Sequence, residues 1–589
     1  MKALKIRPVF YLILLIFVQT TTVCASSFTE RRNYILDYYS KTYPNAQFWG
    51  DDDIKTAMGF VLARLETKRD VKQALDMLDR MQDIPFEMFD RHQNIDAYLR
   101  FSSVYPEALK KKVRKTMTDT DYLEDGSTEN HKLMFKTAGY LTALAFPDWE
   151  KSAHTKDHCR SELIKMMESF VKYGQREYDS STYGTFYITC LLSLYDHTPD
   201  PDLKNRVQMT LEWCLLNFAP EWLNGYFIAS TLREYEFACS PKMEISYPLL
   251  GWLYFGGGPN PSLEQHYKNG NIVINNEGFF VVLATISSYK LPVIIEKIAL
   301  ERKNAYVHKE SHDMDPFCQL NYPWGFKKYT YINKHYGLTS QWDGLSLGWS
   351  GQMRRWKLVW ESDAPASTFF VTHPCYYEGA AEHLRGATPR EQVLQHNGTL
   401  LAMYKIESAE PHPYITGVVP VDAIKQIKED KSGWIFFDGG SILFAVKFFH
   451  PYQWVEDRYF RTVKHKMLQC DERGTAMVLE TCLPEEYNPS GSKTALDLFA
   501  ENILNKTKLE YIHKTVEYRE ATYHSLKGDT LRIVYNYGRY INGEKVDYNQ
   551  WPLISDPWMY QSVEGRFLNV TDGQNFRVYD FLNWKINAN

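Results

Sequence analysis

The sequence lacks an excess of charge of either sign, since 67 lysines and arginines nearly balance 72 aspartates and glutamates. This balance removes the usual electrostatic basis for binding nucleic acid, so no nucleic-acid partner is expected. After the N-terminal segment there is no apolar run of about 18 residues, and no membrane span is expected. The HExxH zinc motif, the GxxxxGK(S/T) phosphate loop and a GxGxxG dinucleotide turn are also absent.

Cysteine is scarce and has no recognisable spacing. The chain has nine cysteines, and the eight that follow Cys24 are spread from Cys159 to Cys482 without a CxxC pair. This spread excludes a disulfide scaffold and gives no zinc site. We expect buried free thiols, with room for one or two disulfides.

Aromatic residues are what the sequence has in excess. They make up 15% of the 589 residues, with 41 tyrosines and 15 tryptophans, while 44% of the residues are hydrophobic. The overall composition is that of a packed globular protein. Aromatic side chains usually pack in the hydrophobic core. So many tyrosines and tryptophans are also suited to stacking on sugar rings.

The N-terminus has the pattern of a secretory signal peptide. Lys2, Lys5 and Arg7 precede a short apolar run at 11–18, and Val23-Cys24-Ala25 then offers a cleavage site. The run is too short to span a bilayer. We therefore expect residues 1–25 to be removed near Ala25 and the mature protein to be secreted or periplasmic.

Two kinds of hydrophobic periodicity divide the mature chain. From 26 to 305 apolar residues recur at helical spacing, for example at Leu133, Met134, Ala138 and Leu141. Successive helical hairpins without a fixed repeat predict an α/α toroid, with a further helical pair expected between 222 and 254. From 306 to 589 short β-rich runs and Asp-Gly or Asn-Gly turns predict an antiparallel β-sandwich domain. The predicted fold class is α+β, a toroid followed by a sandwich.

Two segments of the helical half carry polar residues at helix starts. Asn130 and His131 follow Ser127 and Thr128, either of which can cap a helix, so backbone donors and the helix dipole would lie beside an amide and an imidazole. Such a place can hold a carboxylate, although simple capping with a solvated histidine explains it equally. The second segment runs from Gln175 and Glu177 into a helix with Tyr183 at its first turn and Tyr187 one turn later. These two tyrosines can also be ordinary core residues.

Three further candidates are weaker. Arg233 and Tyr235 follow an Asn-Gly turn, and the guanidinium could clamp an anionic sugar or pair with Glu234 on the surface. Tyr336, in the β half, could reach a cleft between the domains or could pack in the core.

Together these features resemble the polysaccharide lyases with an α/α toroid and an antiparallel β domain, namely the heparinase-type, chondroitin AC-type and two-domain alginate lyases. The resemblance implies that Asn130 and His131 face the carboxylate of a uronic acid and that Tyr183, or its rival Tyr187, donates a proton. It also implies an anionic polysaccharide substrate and no cofactor. The chain departs from these lyases in lacking a clear counterpart of the arginine beside the catalytic tyrosine, for which Arg233 is the candidate.

The resemblance implies β-elimination, in which the C5 proton of a uronate leaves after hydrogen bonds neutralise the neighbouring carboxylate. Two other functions remain open. A glycoside hydrolase on the same toroid would need a pair of carboxylates, and Glu129, Glu177, Asp179 and Glu234 are available. A non-catalytic glycan-binding protein would bind the polymer without shortening it.

Overall fold

The structure is a computed structural model that describes residues 26–43, 54–86, 88–124, 128–233, 246–264, 266–268, 271–274, 278–301, 304–312, 325–342, 353–364, 366–374, 390–456, 464–489, 491–515 and 518–589. The predicted signal peptide (1–25) and Tyr235 lie outside these residues.

The first half of the described chain is helical. Ser27 begins α1 with a capping box, and Asp200 caps α9 with Pro201 at its first position, as the sequence predicts for that helix. The helices are α1 Phe28–Lys41, α2 Ile54–Thr67, α3 Val71–Met81, α4 Met88–Phe101, α5 Glu107–Thr118, α6 Glu129–Ala145, α7 Ser152–Tyr173, α8 Gly184–His197, α9 Pro201–Phe218, α10 Ser246–Phe255, α11 Val282–Thr285 and α12 Val293–Leu300.

These helices form a ring of hairpins, which confirms the predicted toroid. The even-numbered helices α2, α4, α6, α8 and α10 contact one another in order, and a short turn at 278–281 contacts both α10 and α2. The helices α1, α3, α5, α7 and α9 each pack against a neighbouring even-numbered helix. Arg31 of α1 donates from Nε to the carbonyl of Leu253 in α10 (2.9 Å), which ties the first helix to the last of the inner ring.

One stretch differs from the expectation. The helical pair expected between 222 and 254 is wrong in its first part, where three two-residue strands lie: β1 Trp222–Leu223, β2 Tyr226–Phe227 and β3 Thr231–Leu232. The reason is local, because Asn224 (φ 46°) and Gly225 (φ 96°) form a tight turn in the left-handed region that pairs β1 with β2. Two more short strands, β4 His266–Lys268 and β5 Asn271–Ile274, follow α10.

The second half is built from antiparallel strands with one helix, α13 Ala495–Lys506. The strands are β6 Tyr306–His312, β7 Phe326–Ile332, β8 Tyr336–Trp342, β9 Met353–Arg354, β10 Trp356–Trp360, β11 Thr368–Thr372, β12 Glu391–His396, β13 Thr399–Lys405, β14 Ile415–Pro420, β15 Gln426–Glu429, β16 Trp434–Asp438, β17 Leu443–Phe448, β18 Gln453–Glu456, β19 His465–Cys470, β20 Gly474–Cys482, β21 Lys508–His513, β22 Arg519–His524, β23 Thr530–Val534, β24 Gly538–Ile541, β25 Glu544–Lys545, β26 Ile554–Ser555, β27 Met559–Gln561, β28 Phe567–Thr571, β29 Phe576–Asp580 and β30 Lys585–Ala588.

Three layers of sheet stack in this half, so the predicted sandwich is present with an additional layer. The central layer is a six-stranded sheet, ordered β12-β13-β20-β17-β16-β15, and it is buried on both faces. Because side chains alternate along a strand, Leu400 and Ala402 of β13 face the large sheet, while Leu401 and Met403 face the third layer. That layer is the sheet β21-β22-β23-β24-β25 with α13.

The large sheet joins the two halves of the molecule. Its thirteen strands run β18-β19-β14-β11-β10-β8-β7-β6-β26-β27-β28-β29-β30. The C-terminal strands lie against the helices, since Leu568, Tyr579 and Trp584 belong to the same apolar cluster as the helical core. The chain thus returns to the toroid after completing the sandwich.

The five cysteines in the described ranges, Cys159, Cys190, Cys214, Cys470 and Cys482, are buried free thiols. Among the helices that the structure describes, none combines the length and apolar character that crossing a bilayer requires.

A buried lysine connects the β half to the helical half. Lys328 of β7 is fully buried, and its Nζ donates to Asp179, to Glu221 (3.0 Å) and to Glu310 (3.0 Å). Burial lowers the pKa of Lys328, but the three carboxylates outweigh burial and hold this pKa well above its usual value. The lysine is therefore charged, and its partners Asp179 and Glu221 come from the helical half.

Replacing Lys328 with methionine is expected to lower the free energy of unfolding by about 3–5 kcal/mol, because buried carboxylates lose their counter-charge. Urea unfolding measured by circular dichroism checks this value. Lys334→Met is the matched control, since Lys334 pairs with Glu485 (3.2 Å) on the exposed surface and its loss should have no measurable effect. Equal stability of the two variants would contradict a connecting role for Lys328.

Candidate active site

The inner helices of the toroid begin at the same rim. Phe89 in the first turn of α4 lies edge-on to His131 at the start of α6, with ring centroids 5.4 Å apart. The same phenylalanine lies 6.3 Å from the ring of Tyr183, the residue that precedes α8. The amide of Tyr247, at the start of α10, donates to the carbonyl of Ser181 (2.9 Å). Four helix starts therefore meet here, and their dipoles favour a bound anion.

Two buried glutamates hold this rim together by exchanging hydrogen bonds. Oε2 of Glu129, at the start of α6, accepts from the amides of Arg176 (2.7 Å) and Glu177 (3.3 Å). Oε2 of Glu177 in turn accepts from the amide of Asn130 (2.8 Å). We call this pair the carboxylate clamp. It fixes the segment before α8 against the start of α6, so that Asn130 and Tyr183 approach each other although they are far apart in sequence.

Arg233 completes the group. Its Nη1 donates to Oε1 of Glu177 (2.8 Å), and its Cζ lies 4.7 Å from the centre of the Tyr183 ring. Arg233 has a left-handed backbone (φ 65°), and its carbonyl accepts from the hydroxyl of Ser180 (3.1 Å). The sequence-predicted residues Asn130, Glu177, Tyr183 and Arg233 are thus brought to one place.

Asn130 is fully buried, and its side-chain amide lies beside the carboxyl of Glu177, whose pKa it helps to lower. Its Oδ1 accepts from the hydroxyl of Thr128 (3.3 Å). No hydrogen bond from its Nδ2 to a described residue has ordinary distance and angle. A buried N–H without an acceptor is costly. The amide is therefore suited to donate to an acceptor that arrives with a ligand.

Burial also shifts the acidity of the clamp. Removal from water raises the pKa of Glu129 to about 7, and the neighbouring charge of Glu177 adds to this shift, while the donors Tyr187 and Arg176 oppose it. Burial likewise raises the pKa of Glu177, although Arg233 and the amide of Asn130 act to lower it. Glu129 therefore titrates close to neutral pH.

The remaining candidates are engaged with other partners. The hydroxyl of Tyr187 is buried and donates to Oε2 of Glu129 (2.6 Å), beneath the rim. The carbonyl of Gln175 accepts from Nδ1 of His312 (2.8 Å) in the β half. Tyr336 lies in the core of the sandwich, where its hydroxyl accepts from Thr481 (2.9 Å), and the structure does not bring it to the rim.

The β half supports the segment between Gln175 and Tyr183. Tyr178 stacks on His312 with centroids 4.0 Å apart, and its hydroxyl donates to Oε1 of Gln341 (2.6 Å). Asp179, with a left-handed backbone (φ 48°), pairs with Lys328. Sequence reasoning missed these supports. The lysines Lys327 and Lys328 inside a β-rich run are the available signal.

One group of side chains has the spacing of a metal site. Ligand atoms of Asp179, Glu310 and His312 lie within 4.8 Å of one another. Both carboxylates already accept from the charged Nζ of Lys328, and Nε2 of His312 lies 3.0 Å from Glu310. The ammonium of Lys328 already neutralises the two carboxylates that would otherwise attract a cation. These residues therefore fit a salt-bridge cluster better than a metal centre.

No family model and no curated protein matches the chain. The solved structures to which it is similar include polysaccharide lyases. A heparinase III is 11% identical and covers 90% of each chain with a TM-score of 0.37. The heparan sulfate lyase HepC of Pedobacter heparinus is 9% identical, with 85% of this chain and 82% of that one covered and a TM-score of 0.36. A chondroitin AC lyase of Streptomyces coelicolor, solved with chondroitin sulphate, is 10% identical over 94% and 88%, with a TM-score of 0.43. At such scores, function has to be argued from the side chains of this chain.

Replacing Glu129 with glutamine should change how stability depends on pH. The pKa of Glu129 rises from its usual 4.5 to about 7 on folding, so the unfolded chain loses this proton first as the pH rises. The wild type should therefore lose stability relative to Glu129→Gln between about pH 5 and 7, by on the order of 1–3 kcal/mol, and no further above pH 7. Urea unfolding across this range measures the difference.

The exposed Glu150→Gln variant serves as the control and should follow the wild type at every pH. A difference between wild type and Glu129→Gln that is constant from pH 5 to 8 would show that Glu129 ionises normally in the folded protein.

Proposed function

We propose that this chain is a polysaccharide lyase that cleaves a uronic-acid-containing polysaccharide by β-elimination, outside the cytoplasm after removal of residues 1–25. The observation that carries the proposal is the buried side-chain amide of Asn130, which makes no hydrogen bond of ordinary geometry to a described residue and belongs to the group that includes Tyr183 and Arg233. A donor without a well-formed hydrogen bond, at a rim where helix dipoles converge, is suited to a carboxylate.

The chemistry requires such a donor. The C5 proton of a uronic acid is only weakly acidic while the adjacent carboxylate keeps its full negative charge. Hydrogen bonds from Asn130 Nδ2 and the imidazole of His131 would neutralise this charge and stabilise the enolate-like transition state, in which more charge develops on the carboxylate oxygens. Preorganised donors in a buried site stabilise the transition state of this step most strongly.

Tyr183 is the proposed general acid. If neutral His131 takes the C5 proton, Tyr183 donates its own phenolic proton to the departing O4. If Tyr183 is also the base, it starts as the phenolate, takes the C5 proton and then passes that same proton to O4. The guanidinium of Arg233 lies over the Tyr183 ring and would help to hold the acidic chain. Tyr187 is less suited to the role because its hydroxyl already donates to Glu129.

A glycoside hydrolase is supported less well by the same residues. It would need two carboxylates about 5–10 Å apart that face the scissile bond. Glu129 and Glu177 lie close together, but their oxygens accept from the backbone, Tyr187 and Arg233. Both carboxylates are therefore committed to the clamp.

The test of the lyase proposal is a new ultraviolet absorption band, which arises from the unsaturated uronate that elimination leaves. The purified protein should produce this band with at least one of alginate, hyaluronan, chondroitin, heparan and glucuronan. Reducing ends without the band would identify a hydrolase, and binding without shortening would identify a glycan-binding protein.

On the cleaved polymer, Tyr183→Phe should lower turnover by about 10²–10⁴-fold, because only the acid is lost. Tyr187→Phe is the matched control, as it removes the same atom from a buried tyrosine four residues away. It should keep near-normal turnover and lose roughly 1–3 kcal/mol of stability, since Glu129 loses a donor. If Tyr183→Phe keeps its turnover and Tyr187→Phe does not, the roles are reversed, and if both remain active the tyrosine mechanism fails.

A further inference from the structure

Two adjoining cavities lie in the β half, away from the rim of the toroid. One has a volume of about 330 Å³ and the other about 540 Å³, and they share Trp342, Val546 and Tyr548 as a common wall. Both volumes are typical of small-ligand sites. We call them together the β groove. Its polar and aromatic lining includes Lys309, Lys327, Trp342, Arg539, Tyr548 and Trp551.

The β groove lies on the face of the large sheet opposite to the candidate active site. Along β6, Glu310 and His312 point toward the helical half, so the alternate residue Lys309 points the other way. The register places Tyr329 directly opposite Lys309, and Trp342 opposite Lys327, on this second face. The groove is therefore a separate site.

Stacked aromatic rings form the shared wall. Trp342 and Tyr548 are nearly parallel, with an interplanar angle of 4° and centroids 4.3 Å apart. Tyr548 sits in a short turn that the side chain of Asp547 caps through the amide of Asn549 (2.9 Å). Trp551 is held by a hydrogen bond from Nε1 to the carbonyl of Lys328 (3.1 Å). These rings are half-buried and fixed, so they offer rigid surfaces for a flat ligand.

The charge of the lining is positive although the whole chain has a formal charge of −5. Among the described residues, the two linings contain the cations Lys309, Lys327, Arg539 and Lys545, and Asp547 is the single carboxylate. That carboxylate is engaged in its own turn. Such a local excess of cations attracts an anion.

Lys309 is the clearest of these cations. Its Nζ lies 4.6 Å from the centre of the Trp551 ring and 5.9 Å from that of Tyr329. In the described part of the chain, no carboxylate pairs with Lys309, and burial lowers its pKa. A half-buried ammonium between aromatic rings is stabilised by an arriving anion.

We propose that the β groove is an accessory binding site for an anionic oligosaccharide, with sugar rings on the Trp342–Tyr548 wall and uronate or sulfate groups at Lys309 and Lys545. The ligand class rests on the proposed function. The groove holds the polymer on the enzyme during repeated cleavage and takes no part in the reaction. A single-stranded nucleic acid has the same combination of rings and negative charge, and the test separates the two.

The test compares two variants by affinity electrophoresis in native gels cast with alginate, hyaluronan, chondroitin sulfate or heparan sulfate. Each variant has two lysine substitutions, and both also carry Asn130→Ala so that the polymer stays intact. The groove variant is Lys309→Gln/Lys545→Gln. The control is Lys431→Gln/Lys585→Gln, which removes two exposed lysines that line neither cavity.

At least one polymer should slow the migration of the control in the gel. The groove variant should bind that polymer at least about fivefold more weakly than the control does. Tyr548→Ala should also weaken retention, and its effect should depend less on salt because it removes a ring and not a charge. With Asn130 restored, the groove variant should show a higher KM on the polymer and an unchanged kcat.

Equal retention of the groove variant and the control would overturn the proposal, as would tight binding of a poly(dT) oligonucleotide at this groove with no retention by any glycan. The lyase proposal fails separately. If no polymer gives the ultraviolet band but the groove variant loses retention, the β groove stands without the lyase. If the band forms and retention is unchanged, the lyase stands without the β groove.

Discussion

The arrangement of the rim depends on two buried carboxylates that exchange partners across the gap between α6 and the segment before α8. Glu129 accepts from the amides of Arg176 and Glu177, and Glu177 accepts from the amide of Asn130 and from Arg233. Burying two acids side by side is unfavourable, and the raised pKa of Glu129 reflects this. The donors around them offset the cost.

The β half completes this arrangement from outside. Lys328 of the β half donates to Asp179, and His312 donates to the carbonyl of Gln175, so the segment is fixed at its start and at its middle. A segment between two helices would otherwise be mobile. The β strands therefore help to position the segment that leads to Tyr183. The other face of the same sheet forms the β groove.

Much of the fold could be predicted because it follows local periodicity. The sequence predicts the hairpin of β16 and β17 around the Asp438-Gly439 turn, and it predicts the Asn542-Gly543 turn before β25. The helical half is readable for the same reason, except at Asn224-Gly225, where the turn connects two short strands and not two helices. Asn130 and Tyr183 could be proposed from their places at helix starts. The clamp, the pairing of Lys328 and the β groove could not, because they join residues that are distant in sequence and carry no local pattern.

The central claim is that the uronate carboxylate meets Asn130 and His131 while Tyr183 faces the scissile oxygen. A crystal structure of Tyr183→Phe with an intact oligosaccharide of the cleaved polymer tests this most directly. The account predicts a carboxylate oxygen about 2.7–3.2 Å from Asn130 Nδ2, with the ring at position 183 against the O4 bridge. A uronate bound with its carboxylate away from Asn130, or with the O4 bridge nearer to Tyr187, would contradict it.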